Sequence, residues 1–142
     1  MKYKYQKIPR SSDTRVPYMG MPLVPIRLYR GSEITFPIYS LLDSGADNVI
    51  IPSNFASPIG IEDITTGRLQ TTLGVGGNTT EVYYFDDVQI ELIGDSRKLS
   101  MPVGFTQSRE GRSVPPLLGR AFFEHYKSIA FEQPKETIEI KI

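Results

Sequence analysis

The stretch LLDSGADNVIIP, residues 41–52, decides the fold of this 142-residue chain. Two apolar runs enclose a short polar segment with two acids, Asp43 and Asp47, and with Gly45. Glycine permits a sharp turn and a close approach of the backbone. The apolar run before Asp43 would anchor that carboxylate on a rigid strand, as a catalytic group requires. The alternative is an Asx-type turn between two strands, in which Asp43 bonds only its own loop.

Composition and charge are those of an ordinary globular protein. Hydrophobic residues make up 39% and charged residues 23% of the sequence, and the length is that of one compact domain. The formal net charge of +0 argues against a large nucleic-acid footprint. The absence of cysteine excludes disulfides and thiolate metal sites. Neither a transmembrane run nor the apolar core of a signal peptide is visible, so we expect a cytoplasmic protein without membrane association.

Short apolar runs between frequent glycines and prolines predict an all-β fold. Residues 58–66 are expected to form a loop or a short helical turn, and one helix is predicted at residues 120–127. The strict alternation of TIEIKI, residues 137–142, predicts one buried and one wet face. Two hairpins are predicted, one from strands at residues 22–29 and 33–42 and one from strands at residues 69–73 and 80–85. Further strands are predicted at residues 49–51, 87–93, 99–105, 128–131 and 137–142.

The first twenty residues hold five basic side chains and one acid. We assign residues 1–20 to an N-terminal basic arm and residues 21–142 to the folded domain. The arm could bind a partner, but such a composition is more typical of a solvated, loosely ordered terminus. Residues 2–8 also alternate, so they and residues 137–142 could join a sheet at a dimer interface.

Three motifs occur in an order that resembles the retropepsin-like aspartic proteases, the retroviral-type family of single-domain homodimeric enzymes. Asp43-Ser44-Gly45-Ala46 follows an apolar strand, a glycine-rich hairpin lies at residues 73–79, and Leu117-Leu118-Gly119-Arg120 runs into the predicted helix. In that family these motifs are the catalytic loop, the flap over the substrate and the segment beneath the loop. The resemblance covers residues 22–142. It implies an all-β, closed β-barrel-like fold with one short C-terminal helix, assembled as a C2 homodimer.

The resemblance also implies roles for single residues in catalysis, substrate binding and support of the site. The catalytic residues would be Asp43, Ser44 and Gly45; the substrate-binding residues Ala46, Asp47, Gly74, Val75, Gly76 and Gly77; and the supporting residues Gly119 and Arg120. Ser44 would brace the loops across the dimer axis, and Asp47 would pair with Arg120. A purely structural ion pair for Asp47 and an ordinary hairpin turn for the flap stay open as alternatives.

The chemistry of this family needs two aspartates. Two carboxylates about 3 Å apart share one proton, so that one activates a water and the other polarises the scissile carbonyl. The chain holds one Asp-Ser/Thr-Gly motif, because Asp95-Ser96 is followed by Arg97. A C2 dimer would place Asp43 beside its own symmetry copy. We therefore expect an aspartic endopeptidase that cleaves extended peptide segments as a homodimer and uses no cofactor; its partners are a second copy and a peptide or protein substrate.

Other functions were weighed against this one. A retropepsin-like dimerisation or peptide-binding module with weak or no catalysis is the main alternative, and the intact Asp43-Ser44-Gly45 favours the enzyme. A nucleic-acid binder that uses the basic arm is disfavoured by the neutral charge. His125, the only histidine, lies among aromatic residues and is predicted to be half-buried and structural. Core packing is expected for the aromatic residues 83–85, with lining of a substrate pocket as the alternative. Surface decoration is expected for the loop at residues 107–113, with shaping of the substrate cleft as the alternative.

Overall fold

The computed structural model describes residues 1–9, 15–74, 76–107 and 115–142. Strands dominate it, which confirms the all-β class. The strands are β1 (Lys2–Lys4), β2 (Gln6–Pro9), β3 (Tyr18–Met21), β4 (Leu23–Arg30), β5 (Glu33–Ile34), β6 (Ile38–Leu42), β7 (Val49–Pro52), β8 (Arg68–Leu73), β9 (Thr79–Phe85), β10 (Gln89–Leu92), β11 (Leu99–Ser100), β12 (Val103–Thr106), β13 (Leu117–Leu118), β14 (Ser128–Glu132) and β15 (Thr137–Lys141). The helical elements are α1 (Arg120–Phe123) and 3-10 turns at Ser53–Phe55, Ser57–Ile59, Ile64–Thr66 and Gln133–Lys135.

One large sheet of ten strands organises the described ranges. Its path is β11-β10-β4-β6-β13-β7-β12-β9-β8, and β5 pairs with β4 beside it. The short strand β13 lies between β6 and β7, parallel to the first and antiparallel to the second. A segment from near the C-terminus is therefore inserted between the two strands that carry the Asp43 loop.

The large sheet is strongly curled. Strand β11 begins its path and β12 lies six strands further along, yet only two residues separate Ser100 from Val103. Three Cα–Cα steps span at most about 11 Å. Six strand spacings in a flat sheet would span roughly 29 Å. The sheet must therefore bend back towards its first strand, although the described strands form an open path without a pairing between β11 and β8.

A fully apolar row crosses the concave inner side of this sheet. Five residues opposite one another in register form it: Leu42, Leu118, Val49, Val103 and Phe85. All five are buried, three of them with no exposed surface. Phe85 also meets Phe105 edge to face, with ring centroids 5.8 Å apart. Burial of each such side chain stabilises the fold by about 1.5–3 kcal/mol, so this row holds together the strands around the Asp43 loop.

Residues 2–9 form paired strands, contrary to the expectation of a solvated terminus. Strand β1 pairs with β15, and the Met1 ammonium donates to the Ile140 carbonyl at 2.7 Å. Tyr5 is buried in the core. In this segment the alternation of apolar and polar side chains predicts the structure better than the positive charge does, because the apolar side chains are buried when a strand forms. Of the basic side chains counted there, Arg10 lies outside the described residues.

Strand β15 lies in the centre of a three-stranded sheet, between β1 and β14. Its Ile138 and Ile140 are fully buried and its Lys141 is exposed, which confirms the two-faced character predicted from the alternation. Both hydrogen-bonding edges of β15 are used within one chain. A sheet shared with a second copy would therefore have to form through β1 or β14 rather than through β15.

Several predicted elements are shorter than expected. The strand predicted at 33–42 is split because Pro37 has no N–H and because Leu28 donates to the Thr35 hydroxyl at 3.0 Å. The strand predicted at 99–105 is split in the same way at Pro102. The helix predicted at 120–127 ends at Phe123, since Tyr126 turns into the core and Lys127 donates to the Lys141 carbonyl at 2.8 Å. No helix within the described ranges has the length and apolar character to cross a membrane.

A buried charge cluster ties the turn after β10 to the segment after α1. The Asp95 carboxylate, only 1% exposed, accepts from Arg97 Nη2 at 2.6 Å and from the Tyr126 hydroxyl at 3.0 Å. Arg97 also lies over the Tyr126 ring, 5.1 Å from its centroid. Hydrogen bonds from the Arg97 guanidinium hold the pKa of Asp95 below its ordinary value, against the opposing effect of burial.

We expect Asp95→Asn to lower the free energy of unfolding by about 2–3 kcal/mol, because it removes a buried charge-assisted network. A carboxyl whose pKa is depressed by folding stabilises the protein above its unfolded pKa and loses that contribution as pH falls through the folded pKa. The wild type should therefore lose stability as the medium becomes acidic, and the difference from the variant should shrink. Urea denaturation between neutral and acidic pH measures both effects.

The matched control is Asp87→Asn, which removes an exposed acid paired with Arg30 at 2.8 Å. Exposed ion pairs contribute at most about 1 kcal/mol, so this variant should unfold close to the wild type. Equal losses in the two variants would contradict a structural role for the Asp95 cluster.

Candidate active site

Asp43 extends the hydrogen bonding of β6 by one residue. Its N–H donates to the Leu118 carbonyl at 3.1 Å, and the Leu41 N–H donates to Pro116 at 2.7 Å. The backbone of Asp43 is therefore held by the β13 segment, while its side chain is only half-buried. A rigid backbone and an accessible carboxylate are what the sequence predicted for a catalytic acid.

The loop after Asp43 is a tight turn around its own carboxylate. The Gly45 N–H donates to Asp43 Oδ1 at 2.9 Å, and the Ala46 N–H donates to the Asp43 carbonyl at 3.2 Å. The Asx-type turn weighed from the sequence is therefore present. The other oxygen, Oδ2, accepts no hydrogen bond from the part of the chain that the structure describes, and Ser44 and Gly45 are exposed. The turn orients the carboxylate and leaves one oxygen open to a ligand.

The second half of the loop is held by the start of α1. Three consecutive N–H groups, of Gly119, Arg120 and Ala121, donate to the carbonyls of Asn48 at 3.2 Å, Ala46 at 2.8 Å and Asp47 at 2.9 Å. The first N–H groups of a helix have no partner inside the helix. The Asp43 loop supplies those partners, so the helix start and the loop satisfy each other.

Gly119 must be a glycine for this contact. A Cβ at that position would lie 2.4 Å from the Asn48 carbonyl oxygen and 2.6 Å from the Ala46 carbonyl oxygen. Both are backbone atoms, which cannot rotate away. The supporting role predicted for Gly119 therefore agrees with its packing under the loop.

Asp47 forms an ion pair with Arg120, as the resemblance implied. Both side chains are largely exposed, at 71% and 64%. Exposed pairs contribute little to stability, so the pair orients these side chains more than it stabilises the fold. Substrate binding by Asp47 and Ala46 stays a prediction.

The predicted flap is an antiparallel hairpin of β8 and β9. At its tip the Gly74 N–H donates to the Asn78 carbonyl at 2.8 Å, and Gly76 and Gly77 have φ values of +96° and +82°. Left-handed backbone of this kind favours glycine, which accounts for the glycine cluster. Val75, assigned to the same tip, lies outside the described residues.

A second row of side chains joins the Asp43 strand to the base of this hairpin. Its members are opposite one another in register: Leu41, Leu117, Ile50, Gly104 and Tyr84. Asp43 is two residues after Leu41, so the alternation of the strand places it on the same side of the sheet. This row therefore connects the Asp43 strand to the base of the hairpin along one side of the sheet.

Tyr84 ends this row and is buried, as core packing predicts. The tyrosine was expected in the core, and it is indeed 4% exposed, but its hydroxyl has no hydrogen-bond partner among the described residues. Burial raises the pKa of Tyr84, while the nearby Asn48 and Thr72 side chains lower it. Residues 82–85 are all apolar enough to be buried. The sequence alone therefore does not indicate which side of this strand is nearer to the Asp43 loop.

The remaining candidates lie away from this surface. His125 is half-buried, as predicted, and its carbonyl accepts from Arg97 Nη1 at 3.4 Å. No group of three or more His, Cys, Asp or Glu within the described ranges could hold a metal ion. Of the loop predicted as surface decoration, residues 108–113 lie outside the described residues.

The chain matches no protein-family model and no curated protein.

We expect Gly119→Ala to lower the free energy of unfolding by roughly 2–4 kcal/mol, because the added methyl group meets two backbone carbonyls. Gly74→Ala is the control, since its Cβ would lie 3.5 Å from the nearest atom, in ordinary contact. That variant should unfold within about 0.5 kcal/mol of the wild type. Thermal denaturation by circular dichroism measures both, and a wild-type midpoint for Gly119→Ala would disprove the close packing.

Proposed function

We propose that this chain is a retropepsin-type aspartic endopeptidase that cleaves extended peptide segments as a C2 homodimer. The observation that carries the proposal is the environment of Asp43: its backbone and one carboxylate oxygen are held by hydrogen bonds, and the other oxygen is open. A catalytic group needs this combination of rigid placement and access. The curled sheet and the short helix α1 support a retropepsin-like fold, in which the described strands of the sheet form an open path.

The second carboxylate of the catalytic pair comes from another copy of the chain. Within the described residues, Asp47 is paired with Arg120, and Asp95 is buried with Arg97 and Tyr126. Neither acid is available to share a proton with Asp43. The exposed Ser44 and Gly45 leave the loop accessible to a symmetry copy. A two-fold axis beside this loop brings two Asp43 carboxylates together.

The reaction uses one ionised and one protonated Asp43. The ionised carboxylate takes a proton from a bound water as the oxygen of that water bonds to the scissile carbonyl carbon. The protonated carboxyl donates its proton to the carbonyl oxygen, and a neutral tetrahedral diol forms. Proton transfer to the amide nitrogen then breaks the C–N bond and releases a carboxylic acid and an amine. No bond forms between enzyme and substrate.

The substrate is held in an extended conformation beneath the β8–β9 hairpin. Extended peptides bind by main-chain hydrogen bonds, and pockets for alternate side chains provide selectivity. Asp47 contacts the substrate backbone from beside the Arg120 ion pair.

A peptide-binding module without catalysis is the second candidate. The hydrogen bond from Gly45 N–H to Asp43 Oδ1 favours it, because the same bond would form in a purely structural Asx turn. In the protease the open Asp43 oxygen takes part in the reaction, whereas in the binding module it does not. The two functions therefore predict different effects of Asp43→Asn on peptide cleavage.

We expect Asp43→Asn to reduce peptide cleavage by a factor on the order of 10² to 10⁴, the contribution of a general acid–base pair. The asparagine oxygen still accepts from Gly45, so the fold should persist. A diverse peptide library analysed by mass spectrometry between acidic and neutral pH measures cleavage. The optimum should be mildly acidic, because the pair must retain one proton.

Asp86→Asn serves as the control, since that acid is exposed and pairs with Arg68 on the hairpin strand at 3.4 Å. It should cleave like the wild type. Equal cleavage by wild type and Asp43→Asn would refute the catalytic role of Asp43. Peptide binding by both, without cleavage by either, would establish the binding module instead.

Subunit mixing tests the shared site. If each site needs two Asp43 residues, wild type mixed with an equal amount of Asp43→Asn should have about half the activity of the same wild type alone, because mixed dimers are inactive. Activity per wild-type chain should also fall on dilution as the dimer dissociates. Unchanged activity after complete exchange, or activity proportional to enzyme where sedimentation finds only monomer, would contradict the dimeric site.

A further inference from the structure

The three-stranded sheet of β1, β15 and β14 has two free edges. Both edges of β15 are used, so a further strand can pair only with β1 or with β14. Exposed edge strands attract other strands, and proteins normally protect them with lysine, proline or a bulge. Strand β1 carries Lys2 and Lys4, whereas Ser128–Glu132 contains neither lysine nor proline and keeps a continuous register with β15. The edge of β14 is therefore unprotected.

The hydrogen bonds of β15 show which peptide groups of β14 face its free edge. Ile140 exchanges two hydrogen bonds with Met1, at 2.7 and 2.8 Å, so its peptide groups face β1. Those of its neighbour Glu139 therefore face β14, where Ala130 lies opposite. Ala130 is thus bonded within the sheet. The N–H and C=O groups of the residues on either side of it point outward, without a partner among the described residues.

The apolar face of β14 is incomplete at the same edge. Ile129 and Phe131 lie opposite Ile140 and Ile138, which are fully buried, so all four side chains are on the core side of the sheet. Ile129 packs against the core, but Phe131 is 42% exposed. A strand added to this edge would continue the apolar face and cover the phenylalanine ring.

Charge disfavours pairing of β1 with its own copy. The side chains of Lys2 and Lys4 are exposed on the outer face of the sheet, Lys2 at 78%. An antiparallel pair centred on Tyr3 would put Lys2 opposite Lys4 of the partner subunit. Like charges directly opposite one another are destabilising, so the β1 edge is protected against self-association.

No such repulsion arises at β14. Its outer side chains are Ser128, Ala130 and Glu132, and the Glu132 carboxylate pairs with Lys135 at 2.9 Å. An antiparallel pair centred on Ala130 puts Ser128 opposite Glu132 of the partner subunit and the two alanines opposite each other. The edge is therefore compatible in charge and in size with a second copy of itself.

We propose that β14 is the dimerisation strand of this chain and pairs antiparallel with its own copy about a two-fold axis at Ala130. Ile129 exchanges two hydrogen bonds with Phe131 of the partner subunit, and Phe131 does the same with the partner's Ile129, which also covers its ring. The two sheets become one sheet of six strands. This inference rests on the proposed function, because the same axis brings the two Asp43 loops together. It places the interface at an internal strand and not at residues 137–142.

A single cysteine tests this register, because the chain contains no cysteine of its own. At the axis the two Ala130 residues form a non-hydrogen-bonded pair with Cα atoms about 4.5 Å apart, within the range of a disulfide. Under mild oxidation, Ala130→Cys should form a disulfide-linked dimer on a non-reducing gel. Cross-linking should be at least about tenfold faster than for the control Lys4→Cys, whose exposed thiol on the β1 edge reacts only in chance collisions.

Phe131→Lys tests the interface without a cross-link. The new charge would be buried opposite Ile129 of the partner subunit, so the dissociation constant of the dimer should rise at least about tenfold. The matched control is Phe36→Lys, at a position 90% exposed between β5 and β6, which should leave that constant unchanged. Sedimentation equilibrium measures both constants, and circular dichroism checks that both variants fold.

Equal cross-linking of Ala130→Cys and Lys4→Cys, or an unchanged dimer in Phe131→Lys, would overturn the β14 interface. If the wild type then still cleaves peptides as a dimer, the protease proposal stands with another interface. If Ala130→Cys cross-links as expected while the wild type cleaves nothing, the interface stands and the protease proposal fails. A wild type without a dimer at any concentration overturns the interface, and the peptide-cleavage assay then decides separately on the protease.

Discussion

The hydrogen bonds between the Asp43 loop and the segment from β13 to α1 are the constraint on which the rest of this structure depends. The loop leaves a buried strand, so its peptide groups need partners. Asp43 donates to Leu118, and the three N–H groups at the start of α1 donate to the carbonyls of residues 46–48. The helix start gains partners for groups that no helix can satisfy internally. One set of bonds therefore fixes both elements and orients the Asp43 carboxylate.

The insertion of β13 between β6 and β7 also determines which side of the sheet forms the core and which side carries the candidate site. Because β13 lies between β6 and β7, the row from Leu42 to Phe85 is continuous and fully buried. On the other side of the same strands, the row that ends at Tyr84 connects the Asp43 strand to the hairpin. The buried core and the candidate site are therefore formed by alternate residues of the same strands, because successive side chains of a strand point to opposite sides of the sheet. The Asp95 cluster is part of neither row and ties the turn after β10 to the segment after α1.

The parts of the site that could be predicted from sequence are those encoded locally. The glycines at positions 76 and 77 predicted a tight hairpin tip because left-handed backbone favours glycine, and both have positive φ. The Asp47–Arg120 pair is not local, and only the resemblance to the retropepsin-like proteases implied it. Element lengths were less predictable: the helix ends at Phe123 because Tyr126 bonds a distant acid, Asp95. No local pattern around residue 126 contains that partner, which is 31 positions away.

The sequence by itself determined the all-β class, the glycine-rich hairpin, the two-faced C-terminal strand and the turn around Asp43, since each depends on side-chain period or on the conformational freedom of glycine within a few residues. Only the tertiary structure decided that residues 1–9 pair with other strands, that β15 is enclosed on both edges, and that the buried Asp95 carboxylate bonds Tyr126. These features depend on pairings between segments far apart in the chain. Such pairings depend on the hydrogen bonding and burial of the whole fold, so no short stretch of sequence specifies them.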